Sequence, residues 1–173
     1  MSLATEARRL AKLLTHRDAR VVFAESCTAG LVSASLARVA GISQYHCGSA
    51  VTYRNDSKHR WLGVSSAMLK RPGPVSKIVA CEMAEGILRK TPEADWAASV
   101  TGHLGPNAPK RFDGLVYVGL ASGERTARRK RNAIEVNATR HRLTSEGRDA
   151  RQREAAELVL AQLRLAIEAE SDG

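Results

Sequence analysis

The chain predicts an α/β layered domain built around a mixed sheet. Short apolar, strand-like runs alternate with amphipathic helical stretches, and a glycine-centred turn joins two late extended segments as a hairpin. No internal repeat or low-complexity linker interrupts the pattern. The 173 residues fit one domain, expected over 1–168, with a short disordered tail at 169–173.

Residues 3–15 carry Leu3, Leu10, Leu13 and Leu14 at helical spacing, with Ala7 or Ala11 between. A strand is expected at about 20–25, from Val21-Val22-Phe23-Ala24, and a helix at about 28–39, closed by Gly41. Gln44 to Tyr53 is extended in character, and Asn55-Asp56-Ser57 caps a short helix that stops at Gly63. Ser65–Leu69 reads as a single helical piece, and Pro72-Gly73-Pro74 breaks the chain. Ser76 then caps a helix presenting Ile78, Val79, Met83, Ile87 and Leu88 on one face. Ala94–Val100 is a buried strand ending in Thr101-Gly102, and His103 to Lys110 is an irregular loop. Gly114–Ala121 is the clearest strand of all. Ser122-Gly123-Glu124 turns it into a charged strand at about 125–138. The last helix, about 147–168, buries Ala155, Leu158, Val159, Leu163, Ala166 and Ile167.

Composition narrows the setting. No apolar run approaches the ~20 residues that span a bilayer, and the N-terminus lacks the apolar core of a secretory signal. Cys27, Cys47 and Cys81 are odd in number, which suits free thiols in a cytoplasmic protein. Neither they nor His46 and His59 have metal-ligand spacing, so no metal is expected. The net charge is +9, with arginines crowded from Arg125 to Arg153. A basic surface suits phosphate-bearing partners. Without interleaved aromatics or a nucleic-acid motif, most of this run reads as a solvated strand and helix face, and nucleic acid is not an expected partner.

Chemistry concentrates where strands end. Ser26-Cys27-Thr28 marks a strand-to-helix junction, where unpaired N–H groups and the helix dipole favour an oxyanion. No Gly-x-Ser-x-Gly elbow or histidine pairing activates Ser26, but a lysine of lowered pKa serves as a base, and Lys58 follows a strand end. Each residue also has an ordinary reading: Ser26 as a helix cap, Lys58 as a surface lysine, Cys27 as a buried thiol.

Taken in order, Ala24-Glu25-Ser26-Cys27-Thr28-Ala29-Gly30, Val51-Thr52-Tyr53-Arg54-Asn55-Asp56-Ser57-Lys58, Gly73-Pro74-Val75-Ser76, Met83-Ala84-Glu85-Gly86 and Val100-Thr101-Gly102-His103-Leu104-Gly105-Pro106 resemble the CinA C-terminal domain family over about residues 3–165. The standalone members include nicotinamide-nucleotide amidohydrolases. The resemblance implies a three-layer α/β/α domain and hydrolysis of the carboxamide of nicotinamide mononucleotide, without metal or cofactor. It casts Ser26 as nucleophile, Lys58 as its base and Tyr53 as support for the dyad. It puts Ser43, Thr101, Gly102 and Thr28 beside the substrate, with Thr28 as the helix cap. Arg148, Arg151 and Arg153 compete for the arginine opening the last helix, of which Arg148 and Arg151 are taken as substrate-binding. A homodimer accords with the family.

Two departures accompany the resemblance. Ala29 stands where the family has glycine, and the loop 103–113 lacks the family's glycines. The loop and the charge motivate a second expectation: a competence- or damage-associated CinA-like domain that binds without catalysis or acts on another amide.

Overall fold

Strand β1 (Val21–Glu25) is buried along its whole length, and its side chains alternate between two cores. Val21 and Phe23 pack with the helices on one face, while Val22 and Ala24 pack with those on the other. Strict alternation of apolar side chains on a central strand forces helices onto both faces. The computed structural model, which describes residues 2–123 and 133–170, shows that sandwich.

Five strands lie in the order β2-β1-β3-β4-β5. β2 (His46–Val51) and β3 (Trp96–Gly102) flank β1 in parallel, and β4 (Leu115–Ser122) and β5 (Glu135–Arg142) extend the sheet antiparallel. On one face lie α1 (Leu3–Arg17), α2 (Leu31–Ala37) and α6 (Arg148–Ala169). The other carries α3 (Asn55–Leu62), α4 (Ser66–Lys70) and α5 (Lys77–Lys90). The mixed sheet with helices on both sides is the expected α/β/α architecture.

Local signals carry through at the helix ends and contacts. Ser76 caps α5 through Val79 N–H at 3.4 Å. Gly86 lets α3 press against α5, because a Cβ there would stand 2.0 Å from the Leu62 carbonyl oxygen.

Three boundaries differ from expectation. β5 spans Glu135–Arg142 and so runs past the expected end at about 138. Ser122 pairs with Glu135. Residues 124–132, with Arg125, Arg128, Arg129, Lys130 and Arg131, lie outside the described residues. α2 is shorter than its pattern, because residues 26–30 form a turn in which Ala29 has φ +52°. At the C-terminus α6 runs on to Ala169, where the tail was expected to begin, and residues 171–173 lie outside the described set.

Candidate active site

The chain leaves β1 for β2 on one side and later adds β3 on the other. The carboxyl ends of β1 and β3 therefore part around a crevice, the usual binding position in an open α/β sheet. Ser26 follows β1, Thr52 and Tyr53 follow β2, and Thr101 and Gly102 end β3. The crevice measures about 300 Å³, at the small end of ligand pockets. Ser26, Tyr53, Lys58, Thr101, Gly102 and Arg148 are among its lining residues.

At its floor, Lys58 turns inward from the first turns of α3. Its ammonium donates to Ser26 Oγ at 2.9 Å, to the Thr52 carbonyl at 2.7 Å and to the Tyr53 carbonyl at 3.3 Å. Lys58 is only 2% exposed and Ser26 8%. Burial disfavours the ammonium and pulls the Lys58 pKa from its ordinary value down to about 8. Once one proton is lost, the two remaining N–H bonds can stay on the carbonyls, leaving the lone pair directed at the serine hydroxyl. That is the arrangement of a nucleophile with its base.

Cys27, the neighbouring thiol, is packed into the core, and burial pushes its pKa up to about 12. It stays protonated near neutrality, which leaves it as packing.

Glu25 has no role assigned from sequence, yet it organises the junction. Its side chain accepts hydrogen bonds from Thr28 Oγ1 at 2.7 Å and from the N–H groups of Gly30, Val32 and Ser33 at 2.9, 3.1 and 2.9 Å. Glu25, and not Thr28, is the cap of α2. Those N–H groups are thereby occupied, so the expected oxyanion site at the helix start is filled by the protein's own carboxylate. A carboxylate at the end of an otherwise apolar, buried strand was the available signal: a buried acid requires donors.

Several expected site residues have other roles. Ser43 sits in an exposed 3₁₀ turn before β2, at the opposite end of the sheet from Ser26. The length of β1 separates the two, so Ser43 does not line this crevice. Thr28 is fully buried, with its hydroxyl on Glu25 and its carbonyl on Gln152 Nε2 at 2.9 Å. It therefore faces the protein and not a ligand. Tyr53 supports the dyad through its main chain. Its side chain is 54% exposed, and its hydroxyl accepts from Arg148 Nη2 at 2.8 Å. Thr101 donates to the Pro74 carbonyl at 2.8 Å and fastens that wall to β3. Gly102 lines the crevice, and a Cβ there would stand 2.4 Å from Val116 Cγ1 on β4.

The arginines sort by position. Arg148 opens α6 at the crevice mouth, where its Nη1 donates to the Gly105 carbonyl at 2.6 Å. Arg151 points under the loop, forming a two-point pair with Asp113 at 2.7 and 3.0 Å and donating to the Leu104 carbonyl at 3.3 Å. That guanidinium holds the Asp113 carboxyl below its usual range. Arg153 faces Asp149 on the surface. Only Arg148 of the three reaches the crevice lining.

A family model described as CinA C-terminal domain matches residues 3–166. The chain belongs to the CinA C-terminal domain family. A CinA-like protein of Prochlorococcus marinus strain MIT 9312 is 40% identical over 136 residues, covering 73% of this chain and 32% of its own length. A second, from strain MIT 9301, is 42% identical over 138 residues, covering 78% and 31%. The chain thus spans about a third of the length of these curated relatives. Solved CinA-family structures match it end to end. The competence/damage inducible protein CihA of Agrobacterium tumefaciens aligns with TM-score 0.83 at 31% identity, covering 96% of this chain and 95% of that one. A CinA superfamily protein of Klebsiella pneumoniae aligns with TM-score 0.85 at 26% identity, covering 98% and 99%.

Among the described residues of this CinA domain, no three His, Cys, Asp or Glu side chains converge as metal ligands. None of the described helices is long and apolar enough to cross a membrane.

Proposed function

We propose that this CinA domain is a serine amidohydrolase acting on nicotinamide mononucleotide, releasing ammonia and nicotinic acid mononucleotide. The observation that carries the reading is the buried Lys58 amine, its pKa lowered to about 8, in hydrogen-bond contact with Ser26 Oγ. A buried lysine whose pKa is drawn down toward neutrality, beside a hydroxyl in a crevice, is suited to proton transfer.

Ser26 Oγ attacks the carboxamide carbon while Lys58 takes the hydroxyl proton. The new ammonium stands beside the tetrahedral adduct and stabilises its oxyanion by charge. Lys58 then returns the proton to the departing nitrogen, and ammonia leaves an ester on Ser26. Water, deprotonated by Lys58, cleaves that ester to a carboxylate and restores the serine. At the mouth, the exposed Arg148 guanidinium supplies the positive charge for the substrate's phosphate. A crevice of about 300 Å³ is of the size that holds one small ligand, which supports a single-nucleotide substrate.

The test is ammonia release from nicotinamide mononucleotide by the purified protein. Release that is lost in Ser26→Ala supports the reading, and a wild type no faster than that variant rejects it.

A further inference from the structure

Glu25 is 1% exposed and forms no salt bridge among the described residues, although its charge reaches the His46 imidazole. Burying a lone carboxylate costs several kcal/mol unless its oxygens are filled with donors. Here five groups donate: Thr28 Oγ1, the N–H groups of Gly30, Val32 and Ser33, and Ser49 Oγ at 3.1 Å. They come from the nucleophile turn, the first turn of α2, and β2. The carboxylate thus ties three elements together immediately before Ser26.

Without it the junction keeps few polar ties, among them the Gln152 amide on the Thr28 carbonyl. The turn's own main-chain bonds are Ala29 N–H to the Ser26 carbonyl at 3.0 Å and Leu31 N–H to the Thr28 carbonyl at 3.1 Å. α2, at seven residues, is too short to hold its own first turn in water. On the strand side, Ser26 N–H is anchored to the Val100 carbonyl at 3.1 Å. On the helix side, Glu25 makes most of the polar ties to the turn from Cys27 to Gly30, beside the Gln152 amide on the Thr28 carbonyl and the packing of Cys27 in the core.

We propose that Glu25 is a positioning residue: by gripping Thr28 and the start of α2, it holds the turn in the conformation that keeps Ser26 Oγ against Lys58. This rests on Ser26 as nucleophile but not on the identity of the amide. Glu25 touches no substrate and acts only through Ser26.

The experiment labels Ser26 with a fluorophosphonate and follows the adduct by mass spectrometry. Ser26 Oγ attacks phosphorus, fluoride leaves, and the hydroxyl proton passes to Lys58. The variants are Glu25→Gln, Thr28→Val and Ser49→Ala, each checked for unchanged circular dichroism. Misplacing a nucleophile by an ångström costs up to about 100-fold, so Glu25→Gln is expected to label about 100-fold and Thr28→Val about 10-fold more slowly. Ser49→Ala, which leaves the grip on the turn intact, stays within about threefold of wild type. The labelling rate of Thr28→Val keeps the wild-type pH midpoint near 8, because Lys58 is untouched. Should Glu25→Gln not fold, the contrast between Thr28→Val and Ser49→Ala carries the test. Thr28→Val labelling at the wild-type rate would overturn the proposal, as would equal slowing in Ser49→Ala. A wild type that labels at Ser26, with the expected variant pattern, but releases no ammonia from nicotinamide mononucleotide rejects the substrate and supports the positioning role.

Discussion

Lys58 Nζ stands 2.9 Å from Ser26 Oγ, although one residue comes from a helix and the other follows a strand end. The contact is shielded from water at both ends. Its chemistry therefore follows the protonation of one amine.

Below the Lys58 pKa the amine is charged and holds no lone pair for the serine. The rate constant kcat/KM for ammonia release is expected to rise about tenfold per pH unit up to about pH 8 and then level off. Lys58→Met should lower it by about 10³-fold, with the pH dependence abolished. Stopped assays from pH 6 to 10 check both.

The lowered lysine pKa also has a signature in stability. Between about pH 8 and the ordinary lysine value of 10.5, the unfolded chain holds a proton on this lysine that the folded chain has lost. Stability rises with pH wherever the unfolded state binds more protons. Across that window the unfolding free energy of wild type relative to Lys58→Met should gain about 3 kcal/mol, because each pH unit between the two pKa values adds about 1.4 kcal/mol. Below pH 8 the difference is flat. Urea titrations of both proteins at pH 7.5, 9 and 10.5 measure it.

Arg148 and Tyr53 meet at the crevice mouth and not at the dyad. Arg148→Ala should raise KM about tenfold or more while kcat changes little, because a charged hydrogen bond to phosphate is worth about 1.5–3 kcal/mol. Tyr53→Phe removes a hydroxyl that Lys58 never touches, and kcat should stay within about threefold. A large fall in kcat for Tyr53→Phe would place the hydroxyl in the chemistry after all.

Ala29 occupies the left-handed region at φ +52°. A Cβ there costs about 1–2 kcal/mol, partly offset by the extra freedom glycine has when unfolded. Ala29→Gly should therefore stabilise the protein by about 0.5–1 kcal/mol, seen as a raised melting temperature.

The sandwich and the meeting of Ser26 with Lys58 are legible in the sequence because each depends on order along the chain: alternating apolar side chains, and motifs that follow strand ends. The features that escape depend on direction. Nothing in Gly41-Ile42-Ser43 tells which end of a five-residue strand the turn will face, and Ser43 lies at the far one. Thr28 resembles a cap because hydroxyls commonly cap helices, but a longer acid three residues earlier reaches the same N–H groups with more acceptor capacity. Arg148 and Arg151 differ by less than one helical turn, yet one meets the crevice and the other the underside of its wall. Tyr53 does lie at the crevice, but its carbonyl, and not its hydroxyl, touches the base.

The crevice wall is gripped largely by its main chain. Arg148 holds the Gly105 carbonyl, Arg151 that of Leu104, and Arg142 those of Arg111 and Asp113, with the Asp113 carboxylate and the buried Leu104 as side-chain handles. A carbonyl is the same whichever residue bears it. The side chains at 106, 108 and 109 carry none of these grips, so, on the proposed function, a change there alters what the crevice admits while leaving Ser26 and Lys58 in place.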